Sequence, residues 1–150
     1  MLQFGQPEQG VGYKARPAAF GIVERDGLIG LVRVRPSEGG DWLDLPGGAV
    51  DPGEDELAAL VREFGEETGL RIEPGPEIVR VAQFFRKSGN EPVNNQGGVY
   101  VVTETGADPA LKIEADHELV WIAPGEAVAR LRHDSHAWAV AKWLRGAGGL

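Results

Sequence analysis

Glu63, Glu66 and Glu67 stand at i, i+3 and i+4, so on a helix their three carboxylates project from one face, with Glu56 two turns earlier near the same line. Like charges at these spacings destabilise a helix by roughly 0.2–0.5 kcal/mol per pair unless something neutralises them. Hard oxygen donors of this kind suit Mg²⁺ or Mn²⁺, which proteins hold with a few carboxylates, waters and substrate phosphates. The expectation is a divalent-metal site whose ion neutralises phosphate charge and activates water. Two covalent routes lack their signatures: with 0 cysteines there is no thiol nucleophile, and no G-x-S-x-G elbow occurs.

The elements that must position these carboxylates follow from periodicity. Pro52 and Gly53 precede a helix predicted from Glu54 to Thr68, and Gly69 supplies its stop. Leu57, Leu60, Val61 and Phe64 recur at the spacing of a buried stripe. Gly65 costs a helix interior about 1 kcal/mol against alanine, which points to close packing there, against a strand. Upstream, Ala18–Arg35 reads as two strands around Arg25-Asp26-Gly27, a hairpin signal. The stretch 36–40 is a loop, and Trp42–Leu45 a short strand ending at the sharp turn Pro46-Gly47-Gly48. Downstream, Glu77–Arg86 and Gly97–Thr105 read as buried strands joined by a polar loop over 87–96. Leu119–Ile122 is a strand, and Pro124–Leu131 a helix. Asp134 or Ser135 caps a last helix with Ala137, Trp138, Ala141 and Leu144 on one side. With no linker and no repeat, the fold class is α+β: one domain over 1–150, a mixed sheet between helices, as an α/β/α sandwich.

Composition limits the partners. The net charge is −8, with 23 acidic against 15 basic residues and no basic cluster, which argues against gripping a nucleic-acid polymer by its phosphates. A nucleotide remains open, because a divalent ion bridges acidic protein and acidic substrate. No apolar run reaches the roughly 18 residues of a membrane helix, and the N-terminus has no signal-like stretch, so the reading is soluble and cytoplasmic.

Gly48, Glu54 and Arg62-Glu63-Phe64-Gly65-Glu66-Glu67-Thr68-Gly69-Leu70 together resemble the Nudix box, glycine-x5-glutamate-x7-Arg-Glu-U-x-Glu-Glu-x-Gly-U, where U is bulky and apolar. Every fixed position matches, and Phe64 departs only in being aromatic where the family usually has an aliphatic residue. The flanking strands also agree with a Nudix domain. The resemblance implies hydrolysis of a nucleoside diphosphate linked to another group, with Mg²⁺ or Mn²⁺ required. It implies Glu63, Glu66 and Glu67 as metal ligands, joined by the Gly47 or Gly48 carbonyl, with Glu63 or a glutamate outside the box acting on the attacking water. Arg62 would pair with Glu54 and orient it. Gly48 and Gly69 belong to the same supporting frame. A Nudix-fold module that binds nucleotide without turnover is the alternative; such modules usually lose box glutamates, and here all are present.

Glu118 resembles the extra glutamate that many Nudix proteins place near their metals, and Glu114 is its rival. His117, His133 and His136 read as exposed loop residues. Trp42, Phe84 and Phe85 are candidate base stackers, although aromatics on strands more often fill cores. Arg16, Arg33 and Arg86 are candidate phosphate or base contacts. Family marks for substrate are missing, since Phe85 and Lys87 stand where a proline or a tyrosine would mark ADP-ribose or dinucleoside polyphosphates. The pattern before the box that marks coenzyme A substrates is absent, and the isomerase branch relies on a cysteine. A nucleoside triphosphate is the leading substrate, with ADP-ribose or another nucleotide-sugar next. The apolar last helix is a candidate homodimer surface.

Overall fold

The computed structural model describes residues 1–37 and 39–147; Glu38, in the expected loop, lies outside them. Its strands are β1 (Leu2–Phe4), β2 (Lys14–Arg25), β3 (Leu28–Val34), β4 (Trp42–Asp44), β5 (Gly47–Ala49), β6 (Leu70–Lys87), β7 (Glu91–Ala107) and β8 (His117–Ile122). Its helices are α1 (Glu56–Thr68), α2 (Pro124–Arg130) and α3 (Asp134–Ala147), with a 3₁₀ turn at Pro109–Leu111. The sheet runs β1-β6-β7-β2-β3-β4, with β5 on β2 and β8 on β3. β1·β6 and β2·β7 are parallel and the other pairs antiparallel, which makes the sheet mixed. The β2–β3 hairpin closes on Asp26 and Gly27, both at positive φ (53° and 82°), as a two-residue turn matching strand twist requires.

Alternation along β2 divides the core. Ala19 and Val23 face α1, where they join Leu60, Phe64, Leu70, Ile72 and Val102. Ile22 belongs to the opposite side, with Leu31, Leu45, Val99, Ala139 and Val140 under α2 and α3. Gly21 lies on the α1 side, and its missing side chain makes room for Phe64: a Cβ there would stand 2.8 Å from the Phe64 ring. The fully buried aromatic ring in the box is therefore seated over a glycine of the sheet. Among the described residues no helix is long and apolar enough to cross a membrane.

Several expected elements differ. The loop expected over 87–96 shrinks to a tight turn at 88–90, and β7 begins at Glu91, because the polar residues Asn94 and Asn95 are buried with partners: Gln3 and Asn94 share two hydrogen bonds, and Arg16 donates to Asn95. β6 starts at Leu70 rather than Glu77 and runs through register shifts near Pro74 and Glu77. In α1 the buried stripe is Ala59, Leu60, Phe64, Gly65 and Glu67, while Leu57 and Val61 are exposed, so the helix is rotated relative to the expected face. Gly65 faces Leu111 of the 3₁₀ turn rather than a strand. On α3 the buried residues include Ala139 and Val140, whereas Trp138 is half exposed beside Phe4.

Candidate active site

α1 begins with Asp55 accepting from the Ala58 N–H and ends at Gly69 in a left-handed conformation. The helix packs across β5, where two glycines are dictated by space. A Cβ on Gly47 would meet the Ala19 carbonyl oxygen at 2.2 Å, and one on Gly48 would meet the Glu63 carboxyl carbon at 2.8 Å. The bare backbone thus lets Glu63 lie against β5, and Gly47 N–H donates to Glu67 Oε1 at 2.9 Å.

Arg62 binds most of the remaining box carboxylates. It holds Glu54 through two hydrogen bonds (2.8 and 2.9 Å), Glu63 at 3.1 Å and Glu66 at 2.9 Å, and donates to the Ala49 carbonyl at 3.0 Å. The hydrogen bonds from Arg62 and from the Asp51 N–H bring the Glu54 carboxyl down to about 2. Burial acts the other way on Glu63 and raises its pKa despite Arg62. Glu67 is raised well above the usual carboxylate range, first by burial and then by Glu63, Asp44 and Glu114. Among the described residues no lysine or arginine pairs with Glu67; its second oxygen faces His117 Nε2 at 3.3 Å. A buried carboxylate among acids and without a cation is what a divalent-metal site looks like from the protein side, and the oxygen-rich donor set fits Mg²⁺ or Mn²⁺.

The residues preceding β8 complete this end. Ile113 and Glu114 both donate their N–H groups to the Glu66 carbonyl (3.0 and 3.1 Å), docking the segment on the end of α1 and bringing Glu114 to the box. Glu118 is not brought there: it pairs with Arg35 at 3.9 Å, is mostly exposed, and alternates with His117 across β8. His117 is no exposed loop residue but the first residue of β8, sheltered against Glu67.

From this end a cleft runs along the sheet. A small cavity of ≈ 90 Å³ is bordered by Arg16, Gly47, Gly48 and Asn95, and a larger one of ≈ 590 Å³ by Trp42, Arg86 and His117; Asp44, Phe85 and Arg132 border both. Asp44 and Arg132 form a two-point ion pair (3.1 and 2.5 Å), and the guanidinium lies over Trp42 and Phe85 at 5.2 and 5.5 Å. Arg16 is half-buried beside the carboxylate end, and the resulting desolvation lowers its pKa. Arg86 borders the wide part and pairs with Glu8 at 2.7 Å. Two candidates are elsewhere: Phe84 packs edge-on against Tyr13, and Arg33 makes an ion pair with Asp41 at 3.2 Å, without hydrogen-bond geometry.

His133 and His136, expected to be exposed, lie behind the cleft floor at 6% and 2% exposure. Burial pushes both imidazoles down to about 3, and His136 Nδ1 accepts from the Leu45 N–H. Asp44 and Arg132 were not anticipated. Alternation through Trp42-Leu43-Asp44-Leu45 places Asp44 on the face of Trp42 and was a usable signal; Arg132, next to the last helix, carried none.

Box, sheet and cleft together define a Nudix hydrolase, and the profile of the NUDIX domain matches residues 14–144, so the chain belongs to that family. It is similar to the putative 8-oxo-dGTP diphosphatase 2 of Mycobacterium tuberculosis, 38% identical over 110 residues, covering 72% of each chain. It is also similar to the RNA pyrophosphohydrolase of Erythrobacter litoralis, 30% identical over 121 residues that cover 70% of this chain and 73% of that one. Among solved structures, a NUDIX hydrolase from Nitrosomonas europaea superimposes with a TM-score of 0.73 at 22% identity, covering 89% and 90% of the two chains, which is a likeness of fold.

Proposed function

We propose that residues 1–150 form one Nudix domain that hydrolyses a phosphoanhydride in a small nucleotide, a nucleoside triphosphate first, with Mg²⁺ or Mn²⁺ held by Glu63, Glu66, Glu67 and the Gly47 carbonyl. The observation that carries this reading is Glu67, a buried carboxylate among acids with no lysine or arginine against it among the described residues. When bound, the ion neutralises charge on the phosphate oxygens and makes water a better nucleophile. Glu63 or Glu114 takes the proton as water attacks phosphorus. Glu114 replaces Glu118 in this role, because Glu114 reaches the box and Glu118 points away. Arg62, Glu54, Gly48 and Gly69 hold the ligands in place.

Arg16 is placed to meet phosphate next to the box, and Trp42 and Phe85 to wall the base in the wider cleft. A triphosphate reaching from the glycines to the aromatics fits that layout, and the name carried by the mycobacterial relative agrees with it. The test is product release from a panel of nucleoside triphosphates, oxidised nucleotides, ADP-ribose and nucleotide-sugars, with and without Mg²⁺. In ¹⁸O-labelled water, label must enter one of the phosphate-containing products. Binding without turnover on every substrate would replace this reading with that of a nucleotide-binding module.

A further inference from the structure

Arg132 is pinned in the cleft at both ends of its side chain. Its backbone N–H donates to the Leu43 carbonyl at 2.9 Å, and Nε and Nη2 each reach one oxygen of Asp44. The guanidinium also lies over Trp42 and Phe85, and Phe85 is itself held by an edge contact with His133 at 4.6 Å. A fork held in place in advance loses little freedom when a ligand arrives. Asp44 takes only one edge of that fork. The other edge, Nη1 with the second N–H of Nη2, has no hydrogen-bond partner among the described residues. Arg33 Nε is the only buried side-chain nitrogen or oxygen left unpaired among them, so Nη1 is not sealed off from the cleft that Arg132 borders.

Two parallel N–H donors match two adjacent acceptors, which a phosphate or the edge of a nucleobase supplies. Charge and surroundings decide between them. Asp44 already neutralises Arg132, which suits a neutral acceptor edge better than an anion. Arg16, whose hydrogen-bond partner is the neutral amide of Asn95, stands by Gly47 and Gly48 and is the better phosphate contact. Trp42 and Phe85 offer flat rings, which stack on a base and give a phosphate nothing.

We propose that the free edge of Arg132 reads the nucleobase and selects one with two adjacent acceptors on an edge. Guanine offers O6 and N7, and cytosine offers O2 and N3. Adenine sets an amino donor beside both N1 and N7, and uracil puts N3–H between its carbonyls, so each turns a donor toward the fork. This rests on the reading of the cleft as a nucleotide site and adds which bases that site takes.

The test is calorimetric binding of GTP, CTP, ATP and UTP to the full chain in chelator, which keeps metal-dependent turnover out of the measurement. GTP, CTP or both should bind roughly 10- to 100-fold more tightly than ATP and UTP. Arg132→Lys, which keeps the charge and loses the fork, should bring the four affinities together. Equal affinities in the wild type, a preference for ATP or UTP, or a base preference that survives in Arg132→Lys overturns the proposal and leaves the hydrolase reading intact. So does an equal loss for all four nucleotides and for inorganic tripolyphosphate in Arg132→Lys, which would give the fork to phosphate. Selective binding without turnover under Mg²⁺ sustains the proposal and removes only the hydrolase reading. Should Arg132→Lys fail to fold, wild-type protein decides with 7-deaza-GTP and 3-deaza-CTP, each lacking one of the two acceptors. The analogue of the preferred nucleotide must bind as weakly as ATP or UTP, and undiminished affinity rejects the proposal.

Discussion

Glu54 and Glu67 belong to the same short acidic segment and sit in opposite electrostatic settings. Glu54 is gripped by Arg62 at two points and its carboxyl lies near 2, whereas Glu67 is buried with acids around it and its pKa is pushed upward. Arg62 reaches Glu54, Glu63 and Glu66 and stops short of Glu67. The start of the segment is thus internally neutralised and the end is not. Acidic residues that look alike in a motif divide into those an arginine of the same helix balances and those it does not reach.

The largest expected effect tests that division directly. Metal assistance is worth several kcal/mol, so Glu67→Gln should lower kcat by roughly 10³-fold and abolish the Mg²⁺-induced rise in Tm. Glu54→Gln, acting through Arg62, should lower kcat by only about 10- to 100-fold and keep the Mg²⁺ response. Equal losses in the two variants would dissolve the distinction.

A second expectation extends the comparison to two histidines buried behind the cleft. His133 and His136 have folded-state pKa values near 3 against an ordinary 6.5, so the unfolded chain binds more protons between those values. The stability they confer is complete above pH 6.5 and is lost as pH falls toward 3, at up to about 1.36 kcal/mol per pH unit for each histidine. Denaturant midpoints between pH 7 and pH 4.5 should fall steeply in the wild type. The fall should be shallower in His136→Asn, which retains an acceptor for the Leu45 N–H. A variant as steep as the wild type would show that other groups set the acid limb.

The smallest effect is a difference of sign. In metal-free protein at pH 7.5, Glu67→Gln removes a buried charge and should raise stability by about 1–2 kcal/mol. Glu54→Gln loses the charge held by Arg62 and should lower it. Chemical denaturation in chelator reads both; two shifts in the same direction would count against the contrast.

The carboxylate face of α1 was legible because i, i+3, i+4 spacing is a property of any helix, and the β2–β3 hairpin because Asp26-Gly27 has few other uses. What escaped depended on partners distant in sequence. Asn94 and Asn95 look like loop residues until Gln3 and Arg16 satisfy them inside a strand. His133 and His136 look like surface residues until Phe20, Phe85 and the Leu45 N–H enclose them. Leu57 and Val61 fit a buried stripe by period alone, yet Glu67 occupies buried space on α1 instead. Periodicity locates a face, and tertiary partners decide what it can bury. Glu114 and Glu118 differ by one such decision, since the anchoring on Glu66 and the alternation of β8 turn one toward the box and the other outward.

The seating of Phe64 over Gly21 imposes an order on change. Alanine at position 21 would place its methyl 2.8 Å from the ring, an overpacking that typically costs about 1–3 kcal/mol. Phe64→Leu made first relieves the ring contact and leaves Val102 Cγ1, at 3.0 Å, as the close neighbour. Alanine at 21 is therefore penalised less after the helix has changed than before it, so a lineage leaves this pairing more easily through the helix than through the strand.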